Sequence, residues 1–128
     1  MNSLSVTKDP DGLQGLVLLS IDDIAFLEFD SRLCKIVIHT IHNDVFYTVG
    51  SLKYWTQVLN STGYRFFVAD RNNSVHIDNI VEMNGLLKLA YFEENRTSAS
   101  KQCTMSKSGY NEVSELLGLR KSTVIFTL

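Results

Sequence analysis

The stretch IAFLEFDSRLCKIVIHT, residues 24–40, decides the fold because it holds two strand patterns on either side of a polar turn. Its first part, 24–29, is aromatic and β-branched, and residues 33–41 alternate between two faces, as half-buried strands do. The polar residues Asp30-Ser31-Arg32 between these two strand patterns are typical of a turn. A second polar turn leads to another strand at 45–49. The sequence therefore predicts two successive hairpins, which form an antiparallel meander.

Working outward from this stretch, apolar runs of strand length recur along most of the chain, separated by polar or glycine-containing turns. These further predicted strands are residues 16–19, 64–69, 86–92, 101–106 and 123–128. Asn84-Gly85 favours a two-residue type I′ hairpin turn, in which both central residues need a positive φ.

Two short helices interrupt the strands. Leu52, Trp55 and Leu59 recur at helical spacing after Ser51, which can act as an N-cap, and this spacing places Trp55 on the core side. A second helical pattern, built on apolar residues 110, 113, 116 and 117, is closed by Gly118. The predicted fold class is mostly β, with antiparallel hairpin and meander sheets and two short helices.

The length of 128 residues suits one domain. Residues 1–15 contain the breakers Pro10, Gly12 and Gly15 and are interpreted as a loose lead-in. The main domain is expected at 16–118, with a C-terminal strand or tail at 119–128. The chain shows no βαβ alternation, internal repeat or linker, so a second domain is not predicted.

The composition excludes several classes of protein. With 45% hydrophobic and 20% charged residues the chain is neither disordered nor low in complexity, and two cysteines are too few for a disulfide framework. No apolar run reaches the ~18 residues of a membrane span, and the N-terminus does not have the pattern of a signal peptide. The expectation is a cytoplasmic protein without a membrane partner. The net charge is −2, but residues 1–30 carry one lysine and six acidic residues.

No signature of an enzyme or a metal site is present. The sequence contains no glycine-rich phosphate loop, no H-E-x-x-H and no C-x-x-C. The tetrapeptide 98–101 matches a bare S-x-x-K but is interpreted as a solvated loop. His39 and His42 are three apart, which on a strand directs them to opposite faces, and Cys34 and Cys103 alternate with apolar neighbours and are interpreted as core-facing or at a strand start rather than reactive. We therefore predict no enzyme activity, no cofactor, no metal and no small-molecule substrate.

Three polar turns remain, and each contains side chains suited to nucleic acid. Arg32 and Lys35 belong to the first turn, residues 70–74 to the second, and Ser106-Lys107 to the third. Arginine and asparagine read base edges, whereas lysine and serine suit phosphates. Taken alone, each turn is an ordinary solvated loop. The three turns indicate nucleic-acid binding only if they share one face of the molecule.

The order of these elements resembles the LytTR DNA-binding domain of bacterial response regulators, over roughly residues 16–118. Ile21, Ile24 and Glu28 match the block that leads into the first hairpin. The middle block is matched by Ser51, Leu52, Leu59, Phe66 or Phe67, Val75, Asn79 and Ile80. Ser106-Lys107 matches the late block.

The resemblance implies an elongated β domain that inserts loops and turns into successive major grooves of double-stranded DNA, binds direct repeats and bends the duplex. Carried over position by position, the DNA contacts are Arg32, Cys34, Lys35, Arg71, Asn72, Ser106 and Lys107. The implied function is that of a stand-alone transcription regulator, with DNA and a second copy of the chain as partners.

Departures from the family pattern keep an alternative open. Asp70 stands at the usual histidine, His76 at the usual asparagine and Lys107 at the usual arginine. An acid beside the phosphate backbone weakens binding. The alternative is a protein-interaction or oligomerisation module on the same fold, such as an inhibitor of a related regulator. DNA binding is favoured if Lys35, Arg71 and Lys107 share a face, and the alternative if Asp70 and the acids of residues 22–30 do.

Overall fold

The computed structural model describes residues 2–118 and 124–128. Within them the chain forms eleven β-strands and two α-helices, besides short 3₁₀ turns at Ile21–Asp23 and Ile77–Asn79. In chain order these are β1 Ser3–Thr7, β2 Leu16–Ser20, β3 Ile24–Asp30, β4 Lys35–Thr40, β5 Val45–Thr48, α1 Leu52–Ser61, β6 Phe66–Asp70, β7 Asn73–His76, β8 Glu82–Asn84, β9 Leu89–Tyr91, β10 Gln102–Thr104, α2 Lys107–Leu117 and β11 Ile125–Thr127. The predicted fold class, mostly β with two short helices, is confirmed.

The larger sheet has seven antiparallel strands in the order β2-β1-β5-β4-β3-β7-β6. The predicted meander forms its centre, with Leu27 of β3 opposite Ile38 of β4, and Ile38 opposite Phe46 of β5. The hairpin β1–β2 lies next to β5, where Thr7 of β1 pairs with Tyr47 of β5. A smaller sheet has the order β10-β9-β8-β11, and its pair β8–β11 is parallel, unlike the antiparallel pairing expected throughout.

Each face of the large sheet is covered by a different layer. Helix α1 covers one face, where Leu52 and Leu59 join a buried cluster with Leu27, Ile36 and Ile38. The smaller sheet and α2 cover the other, through buried residues that include Phe26, Val75, Met83, Cys103 and Val113. Both sides of the central strands are therefore in a core, as their near-continuous apolar character requires.

Both helices start at a serine that satisfies a free backbone N–H of the first turn. The Ser51 side chain accepts a hydrogen bond from the Tyr54 N–H at 3.0 Å, and Ser106 accepts one from the Gly109 N–H at 3.0 Å. Trp55 is half-buried against the α1 cluster, and its indole N–H donates to the Val49 carbonyl at 2.7 Å. Trp55 was predicted to lie in the core, and in the structure it lies at the margin of the core.

Two local predictions differ from the structure at the start of the chain and at the late hairpin. Residues 1–15 are not all loose lead-in, because Ser3–Thr7 forms β1 and its Val6 is buried. The strands β8 and β9 do form a hairpin, but Gly85 has no positive φ and the left-handed residue is Lys88, at φ 56°. The connection is therefore the longer loop 85–88 rather than a type I′ turn at Asn84-Gly85.

The remaining differences concern single positions. Cys34 is exposed at φ 54° directly before β4, so of its two predicted positions it takes the strand start and not the core-facing one, whereas Cys103 is buried as expected. Of the predicted C-terminal strand 123–128, position 123 lies outside the described residues. No helix in the described ranges is long and apolar enough to cross a membrane.

Candidate nucleic-acid interface

The antiparallel pairing of the large sheet brings several chain reversals to one of its ends, which we call the turn end. Asp30 ends β3 opposite Lys35, which begins β4, and Asp70 ends β6 opposite Asn73, which begins β7. Since Asn73 also pairs with Glu28 of β3, the turns after β3 and β6 lie side by side. The opposite end, where β3 begins at Ile24, is called the far end.

The first turn is shaped by an aspartate. The Asp30 Oδ1 atom accepts hydrogen bonds from the backbone N–H groups of Arg32 at 2.9 Å and Leu33 at 3.2 Å, which is the local pattern of an Asx turn. Cys34, at positive φ, then returns the chain into β4. This geometry leaves the Arg32 side chain 92% exposed, with only a 3.9 Å approach to the Asp30 carboxylate.

The second turn, residues 71–72, is fixed to the first by the backbone. The Phe29 N–H donates to the Asn72 carbonyl at 2.9 Å, and the Asp70 Oδ1 atom accepts from the Arg71 N–H at 2.7 Å. Buried Asn73 follows, and its side-chain amide donates to the carbonyl and hydroxyl oxygens of Thr104, both at 2.9 Å. The two sheets are therefore joined directly below the exposed side chains of Arg71 and Asn72.

Helix α2 also begins at the turn end. The Ser106 N–H donates to the Ala69 carbonyl at 3.0 Å, so the helix start is bonded to the last part of β6. The approach is close because position 109 is glycine: a β-carbon there would overlap the Ala69 carbonyl group and lie 2.7 Å from its carbon. Lys107 and Ser108 are exposed beside this contact.

Arg71 lies between two clefts, each bordered by the start of a helix. One cleft, of about 380 Å³, is lined by Arg71 together with Ser106 and Ser108 of the α2 start. The other, of about 210 Å³, is lined by Arg71 and Asn72 together with Ser51 of the α1 start. A helix N-terminus carries a partial positive charge and free N–H groups, which favour an anion.

The charges at the turn end separate into exposed cations and acids that serve the turns. Arg32, Arg71 and Lys107 are exposed and Lys35 is half-exposed, whereas Asp30 and Asp70 accept backbone hydrogen bonds. Of the other acids in residues 1–30, Glu28 pairs with Asn73 beside the turns and Asp11 lines a cleft together with Lys35. Asp22 and Asp23 precede β3, and its seven residues separate them from the turn end by about 20 Å at the usual rise per residue.

The structure brings all seven sequence-predicted contact residues to the turn end: Arg32, Cys34, Lys35, Arg71, Asn72, Ser106 and Lys107. Ser106 and Lys107 are not at the end of a late strand as expected, because β10 stops at Thr104 and Ser106 caps α2. Sequence reasoning recognised Ser51 as a cap but did not place it here. Its position depends on the β4–β5 pairing of Ile36 with Thr48, which returns the chain to this end.

His39, His76 and the Cys103 thiol lie in or beside the core, whereas His42 is exposed, with its Nε2 atom 3.6 Å from the Asp23 carboxylate. Among the described residues no group of three or more His, Cys, Asp or Glu side chains could hold a metal ion. His39 lies between Glu28, at 2.9 Å, and the ammonium of Lys101, at 3.1 Å, and its burial lowers its pKa. Burial likewise raises the pKa of the Cys103 thiol, which keeps it protonated.

Comparisons with known proteins agree with this arrangement. The family model described as the LytTr DNA-binding domain matches residues 14–118. Among solved structures, the chain is similar to the LytTr DNA-binding domain of a protein described as a methyl-accepting/DNA response regulator from Bacillus cereus. The TM-score is 0.68 at 13% identity, covering 93% of this chain and 99% of that one, and at this identity the likeness concerns the fold. A search of curated proteins gives no match.

Proposed function

The chain belongs to the LytTr DNA-binding domain family, and on that premise we propose that it is a transcription regulator that binds double-stranded DNA through its turn end. The family is one of DNA-binding domains rather than of enzymes. We also propose that the protein is cytoplasmic, because it has to reach cellular DNA in order to bind it. The domain binds this duplex without help from another domain, and it takes direct repeats as its operator.

The observation that supports this proposal is the meeting of two turns and two helix starts at one end of the large sheet. Both helices of the described residues start at this end and run back along the sheets, so the elements that would read the bases are the turns. A major groove about 12 Å wide admits a two-stranded ribbon, which is the size of the β3–β4 hairpin. The exposed cations around the turns supply the sequence-independent attraction to phosphates.

The proposal gives each residue a role that follows from its chemistry. Arg71 lies between the two clefts and can present a planar pair of donors to guanine O6 and N7, and Asn72 can bond adenine. Lys35 and Lys107 neutralise phosphates, Arg32 contacts the DNA backbone from the first turn, and Ser106 contacts it from the start of α2. Cys34 contributes to the site through its positive φ, which allows the tight turn that presents Arg32.

The test begins with selection of a preferred duplex from random sequences, followed by anisotropy titration at two salt concentrations. We expect Lys107→Ala to weaken binding to all sequences alike and to reduce the salt slope by about 1, because one phosphate contact is lost. Arg65→Ala is the control, since Arg65 is paired with Asp78 at the far end and should leave the slope unchanged.

The protein-interaction alternative makes a different prediction. It required the acids of residues 22–30 to share a face with Asp70. Glu28 and Asp30 do lie with Asp70 at the turn end, whereas Asp22 and Asp23 lie at the far end. If the wild-type protein binds no selected duplex more tightly than about 10⁻⁴ M, the weak end of nonspecific affinity, the DNA-binding proposal is wrong and the alternative replaces it.

A further inference from the structure

The two outer strands of the large sheet differ in how their free backbone groups are satisfied. On β6, the Asn60 side chain accepts from the Phe66 N–H at 2.6 Å and donates to the Phe66 carbonyl at 2.9 Å. Further along the same edge, the Ala69 carbonyl accepts from the Ser106 N–H. The β6 edge is therefore closed to another strand at both of its ends.

The β2 edge has none of these protections. Among the described residues β2 pairs with β1 alone, and no side chain bonds the backbone of Leu16–Ser20. Leu16 and Leu18 are 73% and 76% exposed on one face, whereas Leu19 on the other is buried. Residues 12–21 include no charged side chain and no proline, which are the usual means of blocking an edge.

The edge strands of the smaller sheet are less suited than β2 to pair with a further strand. Both β10 and β11 have three residues against five in β2. The Thr104 carbonyl of β10 is already occupied by the Asn73 side chain. Within residues 2–118 and 124–128, β2 is thus the longest strand that leaves its outer edge open.

We propose that β2 pairs antiparallel with β2 of a second copy of this chain, which joins two seven-stranded sheets across a two-fold axis. The pairing is isologous because the β6 edge is closed, which excludes a head-to-tail arrangement of β2 on β6. A copy of the same strand fits because the edge is neutral. Two neutral apolar strands meet without electrostatic cost, whereas a different partner would find no charge here to recognise.

The side-chain pattern of β2 is self-complementary. In an antiparallel pair centred on Leu18, Leu16 faces Ser20 of the second copy, and Val17 faces its Leu19. Exposed Leu18 then meets its own copy, exposed Leu16 meets half-buried Ser20 on the same face, and the core-side residues Val17 and Leu19 meet each other, so each face continues across the pair. Beyond the strand, Asp22 falls opposite Gln14, which avoids a contact between like charges.

This dimer has a consequence for DNA, which rests on the proposed function. Antiparallel neighbours in a sheet run in opposite directions, so the turn ends of the two copies face away from each other. Both turn ends stay free, but those of one dimer cannot reach neighbouring sites on one straight duplex, so the two halves of a direct repeat are bound by copies from different dimers. The dimer therefore holds two separate DNA segments.

Sedimentation of the full chain over a range of concentrations, without DNA, tests the pairing. We expect a reversible dimer in the wild type and at least about tenfold weaker association in Leu18→Lys, which places like charges opposite each other at the two-fold axis. Leu86→Lys is the matched control, since Leu86 is equally exposed at 76% but lies in the β8–β9 loop. A monomeric wild type, or a Leu18→Lys variant that still dimerises, overturns the proposal.

A two-duplex capture assay then tests the opposed turn ends. With one duplex immobilised and a second labelled, we expect wild type and Leu86→Lys to retain the labelled duplex, and Leu18→Lys to bind the first duplex normally without retaining the second. A dimer that binds the first duplex but never retains the second overturns the opposed arrangement. A dimer that binds no DNA contradicts the proposed function alone, and a DNA-binding monomer contradicts the dimer alone.

Discussion

The two ends of the seven-stranded sheet are built from the same strands but use their polar residues in opposite ways. At the far end, Asn79 donates to the carbonyls of Asp22 and Ile24 at 2.7 and 2.8 Å, and Arg65 holds Asp78 through two hydrogen bonds. At the turn end, the carboxylates shape the turns and the cationic side chains extend into solvent. Polar residues that bond each other stabilise the fold, whereas those left exposed on rigid turns are available to a ligand.

The largest effect on the turn end is expected from Gly109→Ala. The added methyl group overlaps the Ala69 carbonyl, so α2 must move away from β6 and carry Ser106 with it. We expect a loss of about 3 kcal/mol in the free energy of unfolding, at the upper end of overpacking costs, together with weaker DNA binding. Urea denaturation measures it. Ser108→Ala, in the same exposed first turn, should change stability by less than about 0.5 kcal/mol.

Arg71→Ala and Arg65→Ala compare one arginine from each end. Loss of Arg71 should weaken binding to the selected duplex by about 1–3 kcal/mol and relax the preference at one base pair, without changing the melting temperature. Loss of Arg65 should leave DNA affinity unchanged and lower stability slightly, as expected of an exposed ion pair. Equal losses of affinity in the two variants would show that the ends do not differ in function.

Asn79→Ala tests the far end by itself. Its amide satisfies two carbonyl groups, so its removal should cost about 1–2 kcal/mol of stability, measured by denaturation. DNA affinity below the melting transition should stay at the wild-type value, because the change lies a full strand length from the turns. A variant that keeps its stability but loses DNA binding would reverse the assignment of the two ends.

The smallest expected effect is a pH dependence of stability from His76, which is buried at the far end. Its Nδ1–H donates to the Ile24 carbonyl at 2.8 Å, and burial lowers its pKa below the usual 6.5. Below pH 6.5 the unfolded chain therefore gains a proton before the folded chain does, and stability decreases as the pH falls. Denaturation between pH 7.5 and 5.5 measures this slope.

His76→Asn should reduce the pH slope, because asparagine can donate to the same carbonyl without titrating. It should not abolish the slope, since burial also lowers the pKa of His39. Ser108→Ala, which removes no ionisable group from an exposed position, is the control and should keep the wild-type slope. An unchanged slope in His76→Asn would contradict the role given to its burial.

The sequence predicted those elements whose signals are local. The alternation of apolar and polar residues, together with turn-forming residues, located β3, β4 and β5. The serine before a helical pattern identified the start of α1. The strand β1 was missed because SLSVT alternates weakly and precedes a proline and glycines. Its pairing with β5, about forty positions away, depends on contacts that no window of sequence contains.

The candidate site was predicted as residue types but not as a surface. The seven contact residues followed from the resemblance, yet their convergence on one end depends on the registers of β3 with both β4 and β7. The secondary structure at Ser106 was predicted wrongly because its serine-lysine pair suits a strand end as well as a helix cap. Only the Ala69 carbonyl, reached across a gap of 37 positions, decides between the two.

The attachment of β1–β2 beside β5 also bears on the order of folding. The meander and the β6–β7 hairpin close short loops, whereas the pairing of Thr7 with Tyr47 must close a loop of about forty residues. We expect this hairpin to dock late in folding and to detach first in the native state, as a locally cooperative unit. Its amides should therefore exchange with solvent faster than those of β3 and β4, although all four strands share one sheet.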